Sequence, residues 1–87
     1  MSKFIKKVIA TIELMKSRYG VQEFSIDMNH DHPVGRCVMD DGNIVMVSGL
    51  PNTTGTEAKH VGQNVLKVAR QANALGRKFA AYGGGKH

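Results

Sequence analysis

The 87-residue chain predicts an α+β domain in the order helix, strand, strand, strand, helix, and three observations carry that expectation. Apolar residues recur at helical spacing near both ends, they alternate strictly with polar ones over residues 23–28, and Asp41-Gly42 stands between two β-prone runs. A three-stranded antiparallel sheet with two helices packed on one face would bury every apolar stripe. One domain is expected over residues 1–76, followed by a basic, glycine-rich tail over 77–87 that is expected to be flexible. A chain of this length buries roughly 60–65% of the surface its unfolded form exposes, which leaves room for one core and no deep cleft.

The first helix is expected from about Lys3 to Tyr19, with Ser2 as N-cap and Gly20 as the left-handed stop. Phe4, Ile5, Val8, Ile12, Met15 and Tyr19 share one face of it. The first strand follows over 23–28, with Phe24, Ile26 and Met28 inward. Next comes a hairpin whose Asp41-Gly42 predicts a two-residue type I′ turn. That register sets Met39 opposite Ile44, Val38 opposite Val45 and Cys37 opposite Met46, so Cys37, Met39, Ile44 and Met46 form the inner face. The second helix opens on an expected capping box, Thr54 with Glu57, and presents Ala58, Val61, Val65, Val68, Ala69 and Ala72 on one side. Gly76 is its expected stop.

Charge is unevenly spread. Twelve Lys and Arg against seven Asp and Glu give a net charge of +5, yet five of the seven acids lie between residues 23 and 41 and eleven of the twelve bases lie outside that segment. Basic flanks of this kind favour a polyanionic partner, since cations on one surface raise the local phosphate concentration and release counterions on contact. The single Cys excludes an internal disulfide and, with no signal-peptide-like start and no apolar run of membrane-spanning length, leads to an expected cytoplasmic location without membrane contact.

Helix, three antiparallel strands and helix is also the arrangement of the double-stranded-RNA-binding fold. Three segments follow in order on it: His32-Pro33-Val34-Gly35-Arg36-Cys37-Val38, Asp41-Gly42-Asn43-Ile44-Val45-Met46-Val47, and Ser48-Gly49-Leu50-Pro51-Asn52 before the second helix. In that order they make residues 3–73 resemble the HicA family of small toxins and, more closely, its phage-borne relatives. Leu50 and Asn52 stand where that family has Thr and Ser, and no Gly directly precedes His30 or His32. The resemblance implies a phage or mobile-element protein on an RNA-binding scaffold, with metal-independent cleavage of messenger RNA by one histidine. By position that histidine is His32, with His30 second.

Histidine suits such chemistry because its pKa lies near working pH, so it can take or give the proton of a phosphodiester reaction. Asp27, His30, Asp31, His32 and His60 lack diagnostic metal-ligand spacing, so no metal and no cofactor is assigned. The leading expectation is a nucleic-acid binding protein that touches RNA backbone with Lys59, Lys67, Arg70, Arg77 and Lys78, a surface extended by Arg36 and by Lys3, Lys6 and Lys7. A HicA-like ribonuclease centred on His32 is the second reading. The third is a phage host-takeover protein without enzymatic role. The partner is therefore RNA or another nucleic acid, with a host protein or a cognate antitoxin as the alternative.

Overall fold

A computed structural model of the chain describes residues 2–29, 31–51 and 57–83. Helix α1 spans Lys3–Met15 and tightens into a 3-10 turn over Lys16–Tyr19; β1 (Val21–Asp27), β2 (Val34–Met39), β3 (Ile44–Ser48), α2 (Ala58–Ala74) and β4 (Phe79–Ala81) follow. The helical segment starts at Lys3 and stops at Gly20 as the sequence predicts, but its last four residues are 3-10 and α1 itself ends at Met15. The Ser2 side chain accepts the Ile5 amide at 3.1 Å, and Gly20 leaves the 3-10 turn at φ 70°.

The sheet corrects the expected topology. It has four strands in the order β1-β2-β3-β4, antiparallel except for a parallel β3–β4 pair. Parallel neighbours need a crossover of a dozen residues or more, and α2 supplies it by returning the chain beside β3. The Met46 amide then bonds the Lys78 carbonyl at 2.9 Å and the Tyr82 amide bonds the Ser48 carbonyl at 2.8 Å. Part of the segment expected as a tail is thus a strand, while residues 84–87 lie outside the described ones.

The hairpin register is shifted by one residue from the expected one. The Gly42 amide bonds the Met39 carbonyl at 2.9 Å and the Met39 amide bonds the Asn43 carbonyl at 2.8 Å, which closes a three-residue loop, Asp40-Asp41-Gly42, with only Gly42 at positive φ. A type I′ turn would also force Asp41 into the left-handed region, at a cost of about 1 kcal/mol or more. Val38 therefore pairs with Ile44, Cys37 with Val45 and Arg36 with Met46. The slip turns β3 over: Val45 and Val47 are buried, Ile44 is 40% exposed and Met46 is half-buried on the open face.

Strand β1 carries a second irregularity. Its register shifts between Val21 and Glu23, so Val21 and Phe24 both face inward across an odd spacing. Phe24 is buried and Ile26 half-buried as expected, but Met28 lies past the strand end and is exposed.

Both helices cover the inner face. Phe4, Ile5, Val8 and Ile12 from α1 and Val61, Val65, Leu66 and Ala69 from α2 meet Cys37, Met39, Val45 and Val47, and Leu50 closes the core from the loop after β3. Gly62 lets the helices touch. A Cβ there would lie 3.0 Å from the Thr11 side chain and 3.2 Å from the Val8 carbonyl oxygen. Thr54 of the expected capping box lies outside the described residues, and Glu57 precedes the first helical residue as the cap without a side-chain bond, not as a residue of the first turn.

Candidate nucleic-acid interface

The contacts between α1 and α2 set the site. Near the start of α1, Lys3 and Lys7 stand beside Glu57, Ala58 and Lys59; Val8 and Thr11 meet Gly62; and Tyr19 reaches Gln63 and Arg70. The helices thus run side by side in the same direction across the sheet. Eight of the twelve Lys and Arg lie on α1, its 3-10 turn and α2, against Glu13 and Glu57 as the acids of that layer. Glu13 is tied to Lys16 at 2.7 Å.

At the N-terminal end of the layer, Lys3, Lys7 and Lys59 line a groove of about 700 Å³ together with Phe4, Ala10, Thr11, Leu14 and one acid, Glu57. Lys3, Lys7, Ala10 and Leu14 follow one another at helical spacing, and Leu14 is 83% exposed. An apolar residue on the polar side of α1 was a sequence signal for this groove. Further along α2, Arg70 lies over the Tyr19 ring, 5.0 Å from its centroid, and the Gln63 side chain donates to the Tyr19 hydroxyl at 3.2 Å. Arg18, Tyr19, Arg70, Asn73 and the hairpin tip line a depression of about 310 Å³. Arg18 and Tyr19 are site residues that charge counting along the chain did not single out.

The hairpin tip brings the acids Asp40 and Asp41 to this end. Asp41 is fixed there, because Asn73 donates to its carboxylate at 3.0 Å and Asn43 donates from both its backbone and its side chain. These hydrogen bonds, that of Asn73 first, hold its carboxyl below the usual Asp value.

The predicted binding residues do not all share one surface. Lys3, Lys6, Lys7, Lys59, Lys67 and Arg70 belong to the helix layer, Arg77 and Lys78 to the link between α2 and β4. Arg36 pairs with Ser25 and Met46 in the middle of the sheet and is exposed, whereas its neighbours Gly35 and Cys37 are buried under the helices, so it stands on the opposite face. Of the candidate catalytic residues, His32 is exposed in the link between β1 and β2, at the end of the sheet away from the hairpin tip, and His30 lies outside the described residues. His60 sits 4.0 Å from Glu57 in the first turn of α2. Cys37 is fully buried, and burial pushes its thiol up to about 12. Among the described residues no cluster of three metal-ligating side chains forms, and no helix is long and apolar enough to cross a membrane.

Comparison with protein families, with curated proteins and with solved structures finds no match to this chain.

Proposed function

We propose that the protein binds RNA through the phosphate backbone, using the helix layer: Lys3, Lys7 and Lys59 at one end, Lys67 and Arg70 along α2. The observation that supports this reading is the convergence of cations from two separate helices on one groove. Dispersed lysines would serve solubility equally well, but cations gathered by helix packing can neutralise adjacent phosphates and release their counterions together. By analogy of fold alone, the portion from α1 to α2 also follows the helix, three strands, helix order of double-stranded-RNA-binding domains, which recognise duplex shape and backbone more than sequence. The face is suited to binding without base readout.

The test is a salt titration of binding to a short RNA duplex by fluorescence anisotropy. Replacing Lys3, Lys7 and Lys59 together by Gln should flatten the slope of log affinity against log salt by about two to three units, roughly one per lost contact, whatever the RNA sequence. Arg36→Gln, on the other face of the sheet, should leave affinity and slope unchanged. An unchanged slope in the triple variant would return the helix layer to a solubility role and favour a protein partner.

A further inference from the structure

Strand β4 ends the sheet with the backbone groups of two of its three residues turned outward. Because the Lys78 carbonyl and the Tyr82 amide bond to β3, the parallel ladder directs the backbone groups of Lys78, Ala80 and Tyr82 inward and those of Phe79 and Ala81 away from the sheet. No strand lies beyond β4 among the described residues. The opposite edge is guarded by the β1 bulge and by Glu23 and Asp27, in the manner by which sheets discourage edge pairing. The three residues of β4 are uncharged, with Arg77 and Lys78 before them: Phe79 is 74% exposed, Leu75 is 62% exposed, and with Val68, Gln71, Arg77 and Ala81 they border a recess of about 260 Å³ along the strand.

We propose that β4 pairs antiparallel with β4 of a second copy of this chain, about a two-fold axis through Ala80, to make one continuous sheet. The inference stands apart from the RNA reading. Self-complementarity selects a second copy over a foreign strand. With Ala80 opposite the second copy's Ala80, Phe79 lies opposite the second copy's Ala81, and each such pair exchanges two N–H to C=O bonds while setting a ring beside a methyl group. Lys78 falls opposite the second copy's Tyr82 and Arg77 opposite its Gly83, so no cation meets its own counterpart. The axis is perpendicular to the sheet, which keeps both helix layers on the same side. α2 lies mainly over β3. With strands about 4.8 Å apart, the two β3 strands stand about 14 Å apart, a spacing that holds the two α2 helices clear of each other while Val68, Gln71 and Leu75 meet between them.

Sedimentation or light scattering across a dilution series should give twice the 9.5 kDa chain mass for the wild type at high concentration. Ala80→Cys should form an intermolecular disulfide on mild oxidation, because residues facing each other at a non-hydrogen-bonded antiparallel position have Cα atoms about 4.5 Å apart, within disulfide range. Phe79→Pro removes one outward amide without touching the β3 ladder and should leave a folded monomer by circular dichroism. If that variant unfolds, Leu75→Glu decides, with the same monomer expected. A wild type that stays monomeric at every concentration, a dimer that persists in the folded variants, or absent cross-linking would overturn the proposal. So would β4 amides protected from exchange only when an extended peptide of another protein is added.

Discussion

The guanidinium of Arg70 stands over the ring of Tyr19, 5.0 Å from its centre, and so fastens the middle of α2 to the turn that ends α1. The contact holds a cation on the helix layer in a fixed position while leaving it exposed. An exposed cation–π pair contributes about 0.5–1 kcal/mol. Arg70→Ala should lower stability by about that amount in urea denaturation and also weaken RNA binding, whereas Arg70→Lys should keep the salt slope of binding and lose part of the stability. Tyr19→Phe should retain the ring contact and lose only the hydrogen bond from Gln63, about 1 kcal/mol.

The hairpin register gives a second, sharper test. With Val45 facing the core and Met46 facing the open side of the sheet, Val45→Asp buries an unpaired charge and should cost about 3 kcal/mol or more, while Met46→Asp should cost about 1 kcal/mol or less. A two-residue turn would reverse the order. Equilibrium denaturation of the two variants side by side reads the register directly.

Why that register was not legible in the chain is a matter of range. Asp41-Gly42 fits two turns that differ by one residue, and local propensity does not separate them. Asn73, thirty residues from Asn43, hydrogen-bonds both Asn43 and Asp41 and holds the three-residue loop against the end of α2. β4 escaped for a related reason: Phe79-Ala80-Ala81 is too short for any period, and its pairing depends on where α2 returns the chain. The signals of α1 and the apolar periodicity of both helices did hold, whereas the expected Glu57 position in the first turn of α2 did not. The Ser2 cap, the Gly20 stop and both helical stripes appear where periodicity put them. Among the site residues, alternation with Cys37 sets Arg36 on the outer face of the hairpin in the sequence itself. The meeting of Lys3 and Lys7 with Lys59 was not legible, because it depends on how α1 and α2 pack.

Acid should loosen the hairpin tip before the core. Asp41 has its folded-state pKa lowered, chiefly by the Asn73 hydrogen bond, so its contribution to stability is present above the unfolded-state value and is lost as pH falls through the lower folded-state value. The melting temperature of the wild type should therefore fall in that acid window more steeply than that of Asp41→Asn. Above it Asp41→Asn should be the less stable of the two, and Asn73→Ala should flatten the acid limb in the same way.

The remaining question is whether any bound RNA is cut, and His32 answers it. General acid–base cleavage needs an imidazole within hydrogen-bond reach of the reacting oxygen, with a second group placed to hold or exchange the proton. His32 lies in the exposed link between β1 and β2, whereas the cations proposed to bind the backbone lie on α1 and α2. The hairpin tip meets the ends of both helices, so this link lies toward their starts, and nearness alone does not set a general acid and a general base on a bound phosphodiester. Purified wild-type protein should shift labelled RNA at low salt and leave it full length, and His32→Ala should bind with unchanged affinity and salt slope. Should the wild type cleave instead, a drop on the order of a hundredfold in His32→Ala, with cleavage retained in EDTA, would establish histidine chemistry of the HicA kind. Loss of cleavage in EDTA would point to a metal. Full-length RNA with unchanged binding in both proteins would leave the helix layer as the functional surface and His32 as an exposed loop residue.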